Sequence, residues 1–129
     1  MELRGVQYHV ERGGEGAPLL LLHGFTGSAA TWRPFYPSWQ QHLQTIAVDM
    51  LGHGQSASPD DPRRYRMEEV VADLLALLDA LEIEKAHVLG YSMGGRVALH
   101  LAAAAPQRIL RLVLEGASPG IAAAEERQA

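Results

Sequence analysis

Apolar and polar residues follow three different rhythms along this chain. Val6, Tyr8 and Val10 alternate with Gln7, His9 and Glu11, the period of two expected of a half-buried strand at a sheet edge. Gly13-Gly14-Glu15-Gly16 breaks that rhythm as a turn. Pro18-Leu19-Leu20-Leu21-Leu22 and Thr45-Ile46-Ala47-Val48-Asp49 are short apolar runs without alternation, which suit strands covered on both faces, as in a parallel sheet. Between them a helix is expected over Ala29–Gln41, short or kinked because of Pro34 and Pro37. Met67, Val70, Val71, Leu74, Leu77, Leu78 and Leu81 recur every three or four residues. They predict an amphipathic helix from Met67 to Leu81, with Glu68, Glu69, Asp73 and Asp79 off its apolar stripe. Ala86–Leu89 and Ile109–Leu114 read as further strands, separated by a helix over Arg96–Ala105 that Pro106 stops.

Strands alternating with helices imply an α/β fold: a mostly parallel sheet of about six strands with helices on both faces. The long Met50–Arg66 loop, rich in Gly, Pro, Ser and Asp, is of the kind that carries function. The length of 129 residues and the 47% apolar content allow one domain with a core. The absence of Cys excludes disulfides, thiolate catalysis and zinc–thiolate sites. Lys plus Arg number 11 against 15 Asp plus Glu, a net charge of −4 that argues against a nucleic-acid partner. Apolar runs such as Pro18–Leu22 and Ala102–Ala105 fall far short of the roughly 20 residues of a membrane span. The start, Met1-Glu2-Leu3-Arg4-Gly5, has no signal-peptide pattern. The expectation is a soluble cytoplasmic protein without cofactor, metal, nucleic-acid or membrane partner.

Candidate chemistry sits at the strand ends. Gly90-Tyr91-Ser92-Met93-Gly94 fits G-x-S-x-G between a strand and a helix, the setting of a nucleophile elbow. A sharp turn there lifts the Ser92 hydroxyl above the sheet, and glycines flank it because a Cβ would collide. Ser92 then stands at a helix N-terminus, where free N–H groups favour developing negative charge. His23-Gly24-Phe25 follows an earlier strand, and Gly52-His53-Gly54-Gln55-Ser56 lies in the long loop. With these three motifs in this order, the chain resembles the α/β-hydrolase superfamily over essentially residues 1–118. That resemblance implies an anion hole made by the backbone N–H groups of Phe25 and Met93. It also implies that 1–118 are the N-terminal half of the core and that 119–129 begin a lid region, with the lid and the last two strands absent.

Finer features are His23-Gly24-Phe25-Thr26-Gly27-Ser28 with Trp32, the extension Gly95-Arg96, and Leu114-Glu115-Gly116-Ala117-Ser118-Pro119-Gly120. In these the chain is similar to the 2-succinyl-6-hydroxy-2,4-cyclohexadiene-1-carboxylate synthases of menaquinone biosynthesis, a branch that eliminates pyruvate from a polycarboxylate. The resemblance implies Ser92 as the catalytic serine, Tyr91 and Arg96 in the substrate pocket, and a small acidic substrate for the parent enzyme. A guanidinium near the elbow suits a carboxylate. Arg96 also reads as a solvated helical residue, and Tyr91 as a packing residue. His23 and His53 read as loop-fixing groups, Arg63, Arg64 and Arg66 as a solvated run, and Trp32 and Trp39 as core or pocket wall.

The superfamily orders its triad Ser, acid, His. After Ser92 the only His in this sequence is His100, about 12 Å further along the helix axis at 1.5 Å per residue. A general base must come within about 3 Å, so His100 is not that base. The chain is therefore expected to be nearly inactive alone. Ile109–Leu114, apolar on both faces apart from Arg111, is expected to be an exposed edge through which the chain forms a homodimer.

Overall fold

The computed structural model describes residues 1–116. Its strands are β1 (Glu2–Leu3), β2 (Val6–Gln7), β3 (Val10–Gly13), β4 (Ala17–Leu22), β5 (Leu43–Val48), β6 (Ala86–Tyr91) and β7 (Ile109–Glu115). Its α-helices are α1 (Tyr36–Trp39), α2 (Met67–Ala80) and α3 (Met93–Ala104). A 3-10 segment over Ala29–Phe35 leads into α1, so the two prolines give a tight start and one short α turn, as the sequence predicts. The tail that the sequence assigns to a lid lies outside the described residues.

The apolar runs form the middle of the sheet. Strand order is β3-β5-β4-β6-β7, with β5, β4, β6 and β7 parallel and β3 antiparallel at one edge. Among the described residues this main sheet has five strands, beside the about six expected. Arg4 and Gly5 take left-handed φ of 50° and 87°, which reverses the chain and makes β1 pair with β2 as a separate hairpin. Leu20 and Leu22 of β4 pack with Ile46, Val48 and Val88 under α2 and α3. Leu19 and Leu21 pack with Ala29, Trp32 and Ala47 on the other face. Two covered faces explain why β4 reads as an unbroken apolar run.

Two assignments are corrected. Asp73 does not lie off the apolar stripe of α2: it is fully buried, because it shares a helical face with Val70 and Leu77 at spacings of three and four. Arg64 is not a solvated residue, since its guanidinium donates to Asp73 at 2.8 and 2.7 Å. Arg63 is surface, paired with the neighbouring Asp61 at 2.9 Å. Strand β6 runs through Tyr91 and α3 begins at Met93, so the turn between them consumes Ser92 alone. No helix among the described residues is long and apolar enough to cross a membrane.

Candidate functional site

Leaving β4, the chain moves to β5 on one side, while β6 and β7 lie on the other. Connections that diverge from two adjacent parallel strands open a crevice at their C-terminal ends. The His23-Gly24 segment leaves β4 there, and Ser92 leaves β6 beside it.

Ser92 has φ 54° and ψ −111°, a backbone conformation that costs a non-glycine residue strain. It is held there from both sides. The Ser92 N–H donates to the Glu115 carbonyl at 2.9 Å, and its own carbonyl accepts the Gly95 and Arg96 N–H groups at 3.0 and 3.2 Å. A Cβ on Gly90 would stand 2.4 Å from the Gly94 carbonyl oxygen, and one on Gly94 would stand 2.0 Å from the Leu22 carbonyl oxygen. Helix α3 thus crosses the ends of β6 and β4 at a distance that only glycine permits, as the motif requires. The Ser92 side chain is half-buried and does not cap the helix.

The loop from Gly24 to Ser28 lies against this elbow. A Cβ on Gly24 would come within 2.8 Å of the Tyr91 ring and 3.5 Å of Ser92 Cβ. The Gly27 N–H closes the turn onto the Gly24 carbonyl at 2.9 Å. Among the described residues neither the Phe25 nor the Met93 N–H has a loop or turn carbonyl as partner. The Phe25 ring is 71% exposed and stands edge-on to His53 at 5.7 Å. His23 is fully buried with both nitrogens engaged. Its Nε2 accepts the Met50 N–H at 2.9 Å, which leaves the proton on Nδ1 to donate to the Gly24 carbonyl at 2.7 Å. Burial holds its pKa below the usual value. His53 Nδ1 lies 3.0 Å from the Leu51 carbonyl, so both histidines fix loops.

Asp49, at the end of β5, is the residue that sequence reasoning missed. It is buried, and its carboxylate accepts the backbone N–H groups of Ala29 at 2.6 Å and Gln55 at 2.8 Å. A Cβ on Gly54 would sit 2.2 Å from Asp49 Oδ2. Ser56 Oγ donates to the Asp49 carbonyl at 2.5 Å and accepts the His9 N–H at 2.8 Å. The Gly-His-Gly-Gln-Ser loop is thus built to wrap one carboxylate. The signal was present: a charged residue ending an otherwise apolar strand, directly before a glycine-rich loop.

Arg96 is exposed on the first turn of α3 and has no salt bridge among the described residues. Tyr91 is 45% exposed and lines a cleft with Trp32, Phe35, Trp39, Leu89 and Glu115. Trp32 and Trp39 are therefore both core and wall. His100 faces the groove between α2 and α3 with Met67, Glu68 and Val71. Among the described residues no group of three or more His, Asp or Glu is placed to hold a metal ion.

Residues 17–129 match the family model described as alpha/beta hydrolase fold. A Bacillus subtilis (strain 168) protein with the provisional name 2-succinyl-6-hydroxy-2,4-cyclohexadiene-1-carboxylate synthase is 39% identical over 96% of this chain and 46% of its own length. A 2-hydroxymuconate semialdehyde hydrolase from Pseudomonas sp. (strain CF600) is 40% identical over 88% of this chain and 41% of its own. The crystal structure of an epoxide hydrolase from Vigna radiata superimposes with a TM-score of 0.85 at 28% identity, covering 88% of this chain and 37% of that one. The chain spans less than half the length of each of these relatives.

Proposed function

Because this chain belongs to the alpha/beta hydrolase fold family, we propose that it supplies the serine and the anion hole of a serine-dependent enzyme. The observation that carries this reading is the strained Ser92 backbone at the sheet crevice, held by hydrogen bonds on both sides. At the N-terminus of α3 the Ser92 hydroxyl adjoins unpaired N–H groups, and the Met93 and Phe25 N–H groups stabilise the negative charge that develops on substrate.

The parent reaction is a lyase step: Ser92 acts in proton abstraction, and pyruvate leaves a polycarboxylate cyclohexene. Arg96 pairs a substrate carboxylate through two parallel hydrogen bonds, and Tyr91 forms the adjoining wall. The motifs around Ser92 and Leu114 and the 39% identity to the Bacillus subtilis protein support this branch. An ester or carbon–carbon bond hydrolase is the alternative, since the 40% identical Pseudomonas protein is a hydrolase by name. The test measures pyruvate release from the cyclohexene intermediate and p-nitrophenolate release from esters, using the natural gene product and its Ser92→Ala variant. Pyruvate release without ester turnover, lost on Ser92→Ala, is the expected result. Ester turnover without pyruvate favours the hydrolase, and activity that survives Ser92→Ala overturns the serine reading. Arg96→Ala should chiefly raise KM for the acidic substrate. The 129-residue chain alone should show only a trace of turnover, from its anion hole.

We further propose that the isolated chain pairs with a second copy along β7. Among the described residues this strand is hydrogen-bonded only to β6, and Leu110, Val113 and Leu114 are exposed at 46%, 51% and 37%. An apolar edge of this kind templates pairing. Light scattering at tens of micromolar should find a dimer that Val113→Lys breaks; a folded monomer overturns the idea.

A further inference from the structure

We propose that Asp49 is a positioning residue for the anion hole, an inference that rests on the serine reading above. The loop carrying Phe25 is gripped at both ends by two adjacent residues at the end of β5. At its start, the Met50 N–H holds His23 Nε2 at 2.9 Å, and His23 Nδ1 holds the Gly24 carbonyl at 2.7 Å. At its end, the Asp49 carboxylate holds the Ala29 N–H at 2.6 Å. Between these points the Gly27 N–H closes the turn onto Gly24 at 2.9 Å. The Phe25 N–H is presented from inside that turn.

Asp49 has no slack to give. Its N–H donates to the His9 carbonyl at 3.0 Å, and its carbonyl accepts Ser56 Oγ at 2.5 Å. One carboxylate oxygen takes Ala29 and the other takes Gln55 at 2.8 Å. Both oxygens are committed to backbone donors, so neither is aimed at a substrate, and Asp49 acts through the loop rather than on the reacting atoms. Backbone donors move only when their loop moves. A change at Asp49 therefore shifts the hole that lowers the barrier and leaves the surfaces that bind ground-state substrate in place.

The decisive variant is Asp49→Asn. It keeps size but turns one acceptor into a donor facing an N–H. In the 129-residue chain, amide hydrogen exchange at Gly27 and Ala29 should rise at least tenfold relative to Ile46 in the strand. In the natural gene product, kcat per folded molecule should fall about tenfold to a hundredfold, less than the roughly hundredfold to thousandfold cost of removing an anion-hole donor because here the donor is displaced and not lost, with KM changed less than twofold. Gly54→Ala, which drives a methyl into the same carboxylate without altering charge, should give the same signature if Asp49→Asn folds poorly. Unchanged exchange at Gly27 and Ala29 overturns the proposal whatever the activity does. So does a lower Tm with kcat per folded molecule intact. If Ser92→Ala leaves turnover untouched, the serine reading is what has failed, and the exchange measurement still decides Asp49.

Discussion

Among the described residues two carboxylates are buried, Asp49 and Asp73, and they are held in opposite ways. Asp49 is surrounded by backbone donors from two loops. Asp73, fully buried on α2, is surrounded by side chains: the Tyr8 hydroxyl at 2.5 Å, the Arg64 guanidinium at 2.7 and 2.8 Å, and Arg4 at 3.2 Å. A guanidinium on a flexible stem follows a carboxylate that moves, whereas a peptide N–H cannot do so without moving its chain. Asp73 therefore joins elements, tying the N-terminal hairpin and the Pro62–Tyr65 turn to α2, while Asp49 fixes geometry beside the elbow. Burial of a charge says only that it has partners. The kind of partner says what the charge is for.

Breaking the clasp should cost the most. Asp73→Ala leaves a guanidinium and a phenol without their acceptor, and removing one member of a buried pair costs about 3–5 kcal/mol. Urea unfolding should show that loss, with NMR shifts gathered in the N-terminal hairpin and around Arg64. A loss below about 1 kcal/mol would mean that the network is not a clasp. Gly54→Ala should cost less, about 1–3 kcal/mol from overpacking against Asp49 and from its left-handed φ of 52°. Its shifts should concentrate at residues 24–29 and 49–56. Shifts spread evenly over both regions would mean that the two carboxylates are not held in different ways.

The same pair shows how far the sequence could be read. The elbow was legible because its glycines, its strand and its helix are local in sequence, and the clashes at Gly90 and Gly94 bear out that spacing argument. The alternation of strands and helices, the short proline-bent segment before Trp39 and the helix-stopping Pro106 were legible for the same reason. Asp73 was not, because charged residues are assigned to the wet side of a helix unless a partner is known, and its partners are Arg4, Tyr8 and Arg64, the first two more than 60 residues away. Asp49 was marked as a charge ending an apolar strand, but its partner was not: Ala29 lies 20 residues away, and a donor on the main chain leaves no mark in the sequence. The hairpin of β1 and β2 escaped because Arg4 adopts a positive φ that its residue type does not advertise.

Titration should separate the two regions at opposite ends of the pH scale. His23 is neutral and buried, with its pKa held below the usual 6.5 by desolvation. The unfolded chain takes up that proton first, so stability falls as pH drops below about 6.5, by at most about 1.4 kcal/mol per pH unit. Tyr8 is pushed the other way: burial, then its hydrogen bond to Asp73, raise its pKa above the usual 10. The folded state then holds the proton longer than the unfolded one, and stability falls as pH rises above about 10. Glu11, lowered to about 2 chiefly by its hydrogen bond to Arg33, adds a separate loss only between about 4.5 and 2. Urea midpoints across pH should lose the slope just below 6.5 in His23→Asn, whereas the alkaline slope should shrink without vanishing in Tyr8→Phe, because burial and a hydrogen bond to Glu11 raise the pKa of Tyr36 as well. A slope just below 6.5 that survives His23→Asn would place its origin elsewhere.

Arg4→Ala should have the smallest effect, and it tests whether the clasp has a centre. Arg4 reaches Asp73 at 3.2 Å and Glu69 at 3.1 Å, but its side chain is 39% exposed against 16% for Arg64. An exposed pair is screened by water and contributes about 0–1 kcal/mol. Losing Arg4 also leaves Asp73 with the Arg64 fork and the Tyr8 hydroxyl, so no buried acceptor is stranded. Arg64→Ala removes two of the acceptor's bonds at once from a mostly buried position, and it should cost clearly more. The double variant Arg4→Ala with Arg64→Ala should exceed the sum of the singles, because only then does Asp73 lose every cation. Equal costs for the two single variants, with strict additivity, would mean that the cations act as independent surface pairs and that Asp73 is held chiefly by Tyr8.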